Sequence, residues 1–201
     1  MFTTCWGLVT AIEKKMSDFG IVQVKIDDKY SEAIYYPGFI GHPQIGEKVL
    51  LNTTAVNLKL GTGGYHFVLM RENTDPLSSV SQGHIMKLRY TPWQFSVHSV
   101  EEEGSPWHEV MKKEDSIAGV PVAVATLHSM VVPLILGWRI ICPEKSKVVF
   151  CMTDGAALPA AVSNLLRTLK ENALLDTVIT TGHAFGGDLE AVNIYSALLA
   201  A

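Results

Sequence analysis

The chain has 201 residues, 48% of them hydrophobic and 18% charged. A chain of this length can bury roughly 70% of its extended surface without covalent staples, so wholesale disorder is excluded. Lys and Arg number 16 against 20 Asp and Glu, a net charge of −4, which argues against a dominant nucleic-acid surface and leaves room only for a local basic patch.

Residues 1–72 read as a small all-β, barrel-like domain. Candidate strands are 5–11, 20–26, 32–36, 47–53 and 65–70. The second is the clearest, because Val22, Val24 and Ile26 alternate with Gln23 and Lys25. Short strands separated by Asp27-Asp28, Pro37-Gly38 and Gly61–Gly64 favour barrel closure, which removes exposed edges. Residues 73–83, rich in Ser with Asn, Thr, Asp and Pro, read as a linker.

Residues 84–201 read as an α/β domain. Two short strands, 84–89 and 94–100, and a short helix over 106–113 come first. Three βα units follow, at 120–138, 147–170 and 176–201. The expected strands are 120–125, 147–152 and 176–181, and the last helix is expected to start at Asp188. This order implies right-handed crossovers and a parallel sheet of Rossmann-like, three-layer type. The pattern stops at Ala201 without a helix terminator, so the domain reads as incomplete at its C-terminus.

Residues 117–138 carry no charged side chain over a length that could span a membrane. Pro121 and Pro133, and the strand-then-turn pattern ending at His128-Ser129, favour a buried strand and helix instead. Cys5, Cys142 and Cys151 are odd in number and widely spaced, without a CxxC pair. With no basic leader before the first apolar stretch, they suggest reduced thiols in a cytoplasmic protein.

The polar residues of the second half fall repeatedly where expected strands end. Thr126, His128 and Ser129 follow the first, Thr153, Asp154 and Gly155 the second, and Thr180, Thr181, Gly182, His183, Gly186, Gly187 and Asp188 the third. In a parallel sheet these ends share one edge, where ligands bind near helix N-termini. His128, Asp154 and His183 are therefore the candidate catalytic residues. Ser129, Thr153, Gly155, Thr181, Gly182, Gly186, Gly187 and Asp188 are the candidate ligand-binding set.

Several chemistries suit them: a divalent metal on imidazole and carboxylate, a hydroxyl nucleophile with a histidine base, or a phosphate against the glycines. No GxSxG, GxGxxG or GKS/GKT motif singles one out, and metal and cofactor stay open. The bland alternative is that Asp154 and Asp188 only cap turns and helices and His128 is a core imidazole. Lys87 and Arg89, near Tyr90 and Trp93, read as a solvated sheet face or a small anion patch.

Residues 83–92 (GHIMKLRYTP), His128-Ser129, 153–156 (TDGA) and 181–188 (TGHAFGGD) resemble a bacterial domain-of-unknown-function family, DUF3866. The resemblance covers most of the chain. It implies longer family members and brings no activity, cofactor or catalytic assignment with it.

The first functional expectation is a domain that binds a small, phosphorylated or otherwise anionic molecule, or a hydrolase or transferase, using the strand-end crevice. The alternative is a non-catalytic regulatory or scaffold protein acting as a homo-oligomer. Weak nucleic-acid binding through the β domain is third.

Overall fold

A computed structural model describes residues 2–60, 63–73, 83–142, 146–155 and 159–201. The chain divides into two compact units, Met1–Ser79 and Val80–Ala201.

The first unit is a closed barrel of five strands: β1 (Thr4–Lys15), β2 (Gly20–Ile26), β3 (Lys29–Tyr35), β4 (Lys48–Asn52) and β5 (His66–Arg71). Their order around the barrel is β1-β2-β3-β5-β4. Only the β3–β5 contact is parallel. Two one-turn helices, α1 (Pro37–Ile40) and α2 (Thr54–Asn57), complete the unit.

Alternation explains the closure. Val9, Val22, Val24, Val49 and Leu51 point inward and are buried. β1 is long enough to serve two neighbours. Its first half pairs with β4 and its second with β2, and irregular register after Val9 and again after Ile12 bends it between them. Gly20 lies opposite Tyr35 in the β2–β3 ladder, and the buried Tyr35 ring fills the space a Cβ would need. The Tyr35 hydroxyl meets His42 Nδ1 at 3.1 Å. Arg71 Nε donates to both oxygens of the buried Glu47 carboxylate, at 2.9 and 3.0 Å, pinning the entry of β4 to the end of β5.

Burial holds the His66 imidazole below its ordinary pKa. His42 is lowered by burial first and then by Lys15 and Arg71. The unfolded chain therefore takes up protons at these sites before the folded one does. Stability is complete above the ordinary histidine value of 6.5 and declines as pH falls through it. Melting temperature is expected to drop between pH 7.5 and 5.5, and His66→Phe is expected to flatten that slope in thermal scans.

The second unit opens with an antiparallel hairpin, β6 (Ile85–Lys87) and β7 (Phe95–Val97), and α3 (His108–Lys113). A 3-10 turn at His128–Met130 leads into α4 (Val131–Ile141). Next come β8 (Val149–Met152), a 3-10 turn at Ala160–Val162, α5 (Asn164–Glu171), β9 (Thr177–Thr181), β10 (Leu189–Ala191) and α6 (Ile194–Ala200).

The sheet order is β10-β9-β8 and both pairings are parallel. Val131 and Ile135 of α4 and Leu166 and Leu169 of α5 pack with Met152 and Val178 in one core cluster. A second cluster joins Ile179 and Ala191 to Ala197 of α6, with Trp107, Met111 and Val149 against it. Ser99 extends the sheet beyond β10 through a parallel bridge to Glu190.

A mixed α/β chain with a barrel and a parallel sheet is thus observed. Three expectations need correction. Residues 120–125 are not a strand: they are irregular and exposed. Their apolar run has the composition of a buried strand but finds no strand neighbour among the described residues. The third βα unit does not start a helix at Asp188. Its carboxylate instead accepts the Val178 N–H at 2.8 Å and pairs with Lys170, and a third strand, β10, follows. The true cap is Asn193, whose Oδ1 accepts from Tyr195 N at 2.9 Å and Ser196 N at 3.2 Å. In the expected βα unit at 147–170, the helix is confined to α5, Asn164–Glu171. Pro159 is extended, and Ser163 caps α5 by accepting from Leu166 N at 3.2 Å. Gly61 and Thr62 of the expected turn, Ala156 of the TDGA motif, and most of the expected linker lie outside the described residues. No described helix is long and apolar enough to cross a membrane.

Candidate functional site

Thr153, Asp154 and Gly155 follow the C-terminal end of β8, and Gly182 and His183 follow that of β9. The two strands are adjacent and parallel, so these residues meet on one edge. Thr181, buried at the end of β9, donates its hydroxyl to Met152 O at 3.3 Å and ties the two ends together.

Asp154 is exposed, and its Oδ1 accepts the main-chain N–H groups of His183 and, at 3.3 Å, of Ala184. Gly182 sits at φ +59°, in left-handed backbone, and any Cβ there would strike the Asp154 carboxylate. The carboxylate therefore organises the turn that carries His183. Among the described hydrogen bonds it does not touch the imidazole, whose Nδ1 is buried without a partner.

His128 goes elsewhere. Its Nε2 lies 2.7 Å from Ser163 Oγ, and its ring meets Phe150 edge-on with centroids 5.8 Å apart. Burial lowers its pKa, which favours the neutral imidazole at pH 7. Its Nδ1 is also buried without a partner. No described hydrogen bond joins His128 to Asp154 or His183, so the three do not form a bonded triad. Ser129 is exposed in the turn after His128.

Gly186, Gly187 and Asp188 are separated from the strand-end turn. Residues 182–188 cross from the end of β9 to the start of β10, so Asp188 lies beside Val178 at the other edge of the sheet. The glycine N–H groups are engaged within the loop, Gly186 with Glu190 Oε1 at 2.8 Å and Gly187 with Thr180 Oγ1 at 3.1 Å. They do not form an open phosphate cradle.

Lys87 needs the largest revision. It is fully buried, not part of a solvated face with Arg89. Its Nζ donates to Ala184 O at 2.8 Å and pairs with Glu190 Oε2 at 3.0 Å. Glu190 Oε2 also accepts the Thr180 hydroxyl at 2.8 Å. This network props the 182–188 loop from beneath. Among the described residues, no three His, Cys, Asp or Glu side chains converge as a metal site.

Sequence reasoning named Thr180 and Lys87 without the partner they share, and missed Ser163 and Glu190. Ser163 carried a cap signal, a serine ahead of an amphipathic run. Lys87 and Glu190 lie on different elements far apart in the chain and carried none.

A family model described as a protein of unknown function, DUF3866, matches residues 32–201. The chain belongs to the DUF3866 family. No curated protein and no solved structure matches this DUF3866 chain.

Proposed function

We propose that the second unit binds a small molecule at the C-terminal ends of β8 and β9, as a binding domain or as a hydrolase or transferase. One observation carries the reading. A side chain, Asp154, is devoted to shaping the Gly182–Ala184 turn, which puts a carboxylate and a histidine-bearing turn on neighbouring parallel strand ends, the usual ligand edge of such sheets. The core clusters support a Rossmann-like, three-layer arrangement, and we place the protein in the cytoplasm as part of the same proposal.

Small phosphorylated molecules are the first probes to use, with their unphosphorylated counterparts as controls. A binder is expected to move the amide resonances of Gly155, His183 and Ala184 and to raise the melting temperature. Asp154→Ala is expected to weaken binding at least tenfold. Binding that moves only resonances remote from both strand ends would overturn the assignment.

A second reading, homo-oligomerisation, is favoured by residues 120–141. Val124, Ile140 and Ile141 are 89%, 81% and 76% exposed. β8 forms one margin of the sheet, and among the described residues it pairs only with β9. An unpaired apolar stretch and an unpaired sheet margin on one chain are complementary in a second copy. Sedimentation is expected to show a dimer that Val124→Glu with Ile140→Glu converts to monomer. A wild-type monomer at all accessible concentrations would exclude it.

A further inference from the structure

We propose that Ser163 and His128 form a nucleophile–base pair that accepts an acyl group from a small ester. The inference is independent of the strand-end ligand, because neither residue takes part in the Asp154–His183 turn.

Ser163 Oγ and His128 Nε2 are 2.7 Å apart, the separation of a strong hydrogen bond and of a serine poised to pass its proton to an imidazole. No hydrogen bond at His128 Nδ1 fixes the tautomer; in the form that acts as base the lone pair is on Nε2 and the hydrogen on Nδ1.

The surroundings suit the charge that develops. Ser163 stands at the head of α5, where Leu166 N–H donates to its Oγ at 3.2 Å. The next two main-chain N–H groups, of Asn164 and Leu165, belong to the first helical turn, whose donors have no carbonyl partner within the helix. An oxyanion formed at the carbon that Ser163 attacks would need donors of this kind. The Arg167 guanidinium spans the same turn, donating to Ala161 O at 2.7 Å and Asn164 Oδ1 at 3.0 Å. Asn164 and Leu165 are exposed, so the turn is open to a ligand. The element is a serine at a helix entrance followed by free amides. A sequence search for GxSxG does not find it.

The step balances without a co-reactant other than water. Ser163 Oγ bonds to the ester carbonyl carbon while its proton moves to His128 Nε2. The carbon–alkoxide bond breaks, and His128 returns the proton to the departing alcohol. Water then attacks the acyl-serine and gives its proton to His128. The acid departs as Ser163 Oγ recovers that proton.

The test treats the whole 201-residue chain with p-nitrophenyl acetate and with a fluorophosphonate, and maps the adduct by mass spectrometry. The expected result is stoichiometric modification of Ser163, at a rate that rises with pH and levels off once His128 is neutral. Ser163→Asn keeps a side chain able to cap α5 and is expected to abolish the adduct while thermal unfolding stays cooperative. His128→Gln is expected to slow labelling at least tenfold with Ser163 still the modified residue. An unmodified Ser163 in folded wild-type protein would overturn the proposal. So would modification at the same rate in His128→Gln, the result expected if His128 serves only to brace the helix cap.

Discussion

Replacing Lys87 with alanine is expected to destabilise the second unit by about 3–5 kcal/mol, the usual cost of removing one partner from a buried ion pair. Lys87 is fully buried and the Glu190 side chain is 12% exposed, so little water reaches either group. Without the ammonium, the Glu190 carboxylate keeps only the Thr180 hydroxyl and the Gly186 N–H, and Ala184 O loses its donor. The measurement is chemical unfolding followed by a probe in the second unit. The double change Lys87→Met with Glu190→Leu is expected to recover part of the loss, because it removes the unpaired buried charge while Ala184 O, the Thr180 hydroxyl and the Gly186 N–H stay without their partners. Equal loss in the double variant would show that packing around the lysine stem, rather than the charge, is what the site needs.

Gly182→Ala is expected to be the next most severe change, and the most damaging to the strand-end site. The left-handed backbone costs about 1–2 kcal/mol for a residue with a Cβ. Overlap with the Asp154 carboxylate adds roughly 1–3 kcal/mol of overpacking or expels that side chain. Either outcome frees the N–H groups of His183 and Ala184. Exchange of those two amides is expected to accelerate together in hydrogen-exchange measurements. Protection unchanged from wild type would mean that Asp154 does not hold the turn in solution.

The parts of this fold that were legible share one property: their pattern is local. Val22, Val24 and Ile26 announce β2 by alternation, and the apolar runs before Thr153 and Gly182 announce β8 and β9. β10 escaped because Asp188 ahead of an apolar stretch imitates a helix cap, and Leu189–Ala191 was absorbed into the expected helix. Residues 120–125 misled for the converse reason. Composition reports what a segment would bury, and only a neighbouring strand decides whether it does. At the site, the strand-end rule sufficed to single out Asp154 and His183, because topology alone puts consecutive parallel ends together. It could not show that Asp154 serves the His183 backbone, nor that the partner of His128 would be Ser163, 35 residues away. Lys87 was opaque for a further reason: a charged residue alternating on a short strand reads as solvated unless its counter-ion is visible.

The bond from Lys87 to Ala184 spans 97 residues. A gene fragment that began after the β6–β7 hairpin would keep every βα element, yet express a sheet with an acidic hole where the ammonium should enter. Domain truncations, fusions and library designs should therefore treat residue 83 as the latest workable start for the second unit.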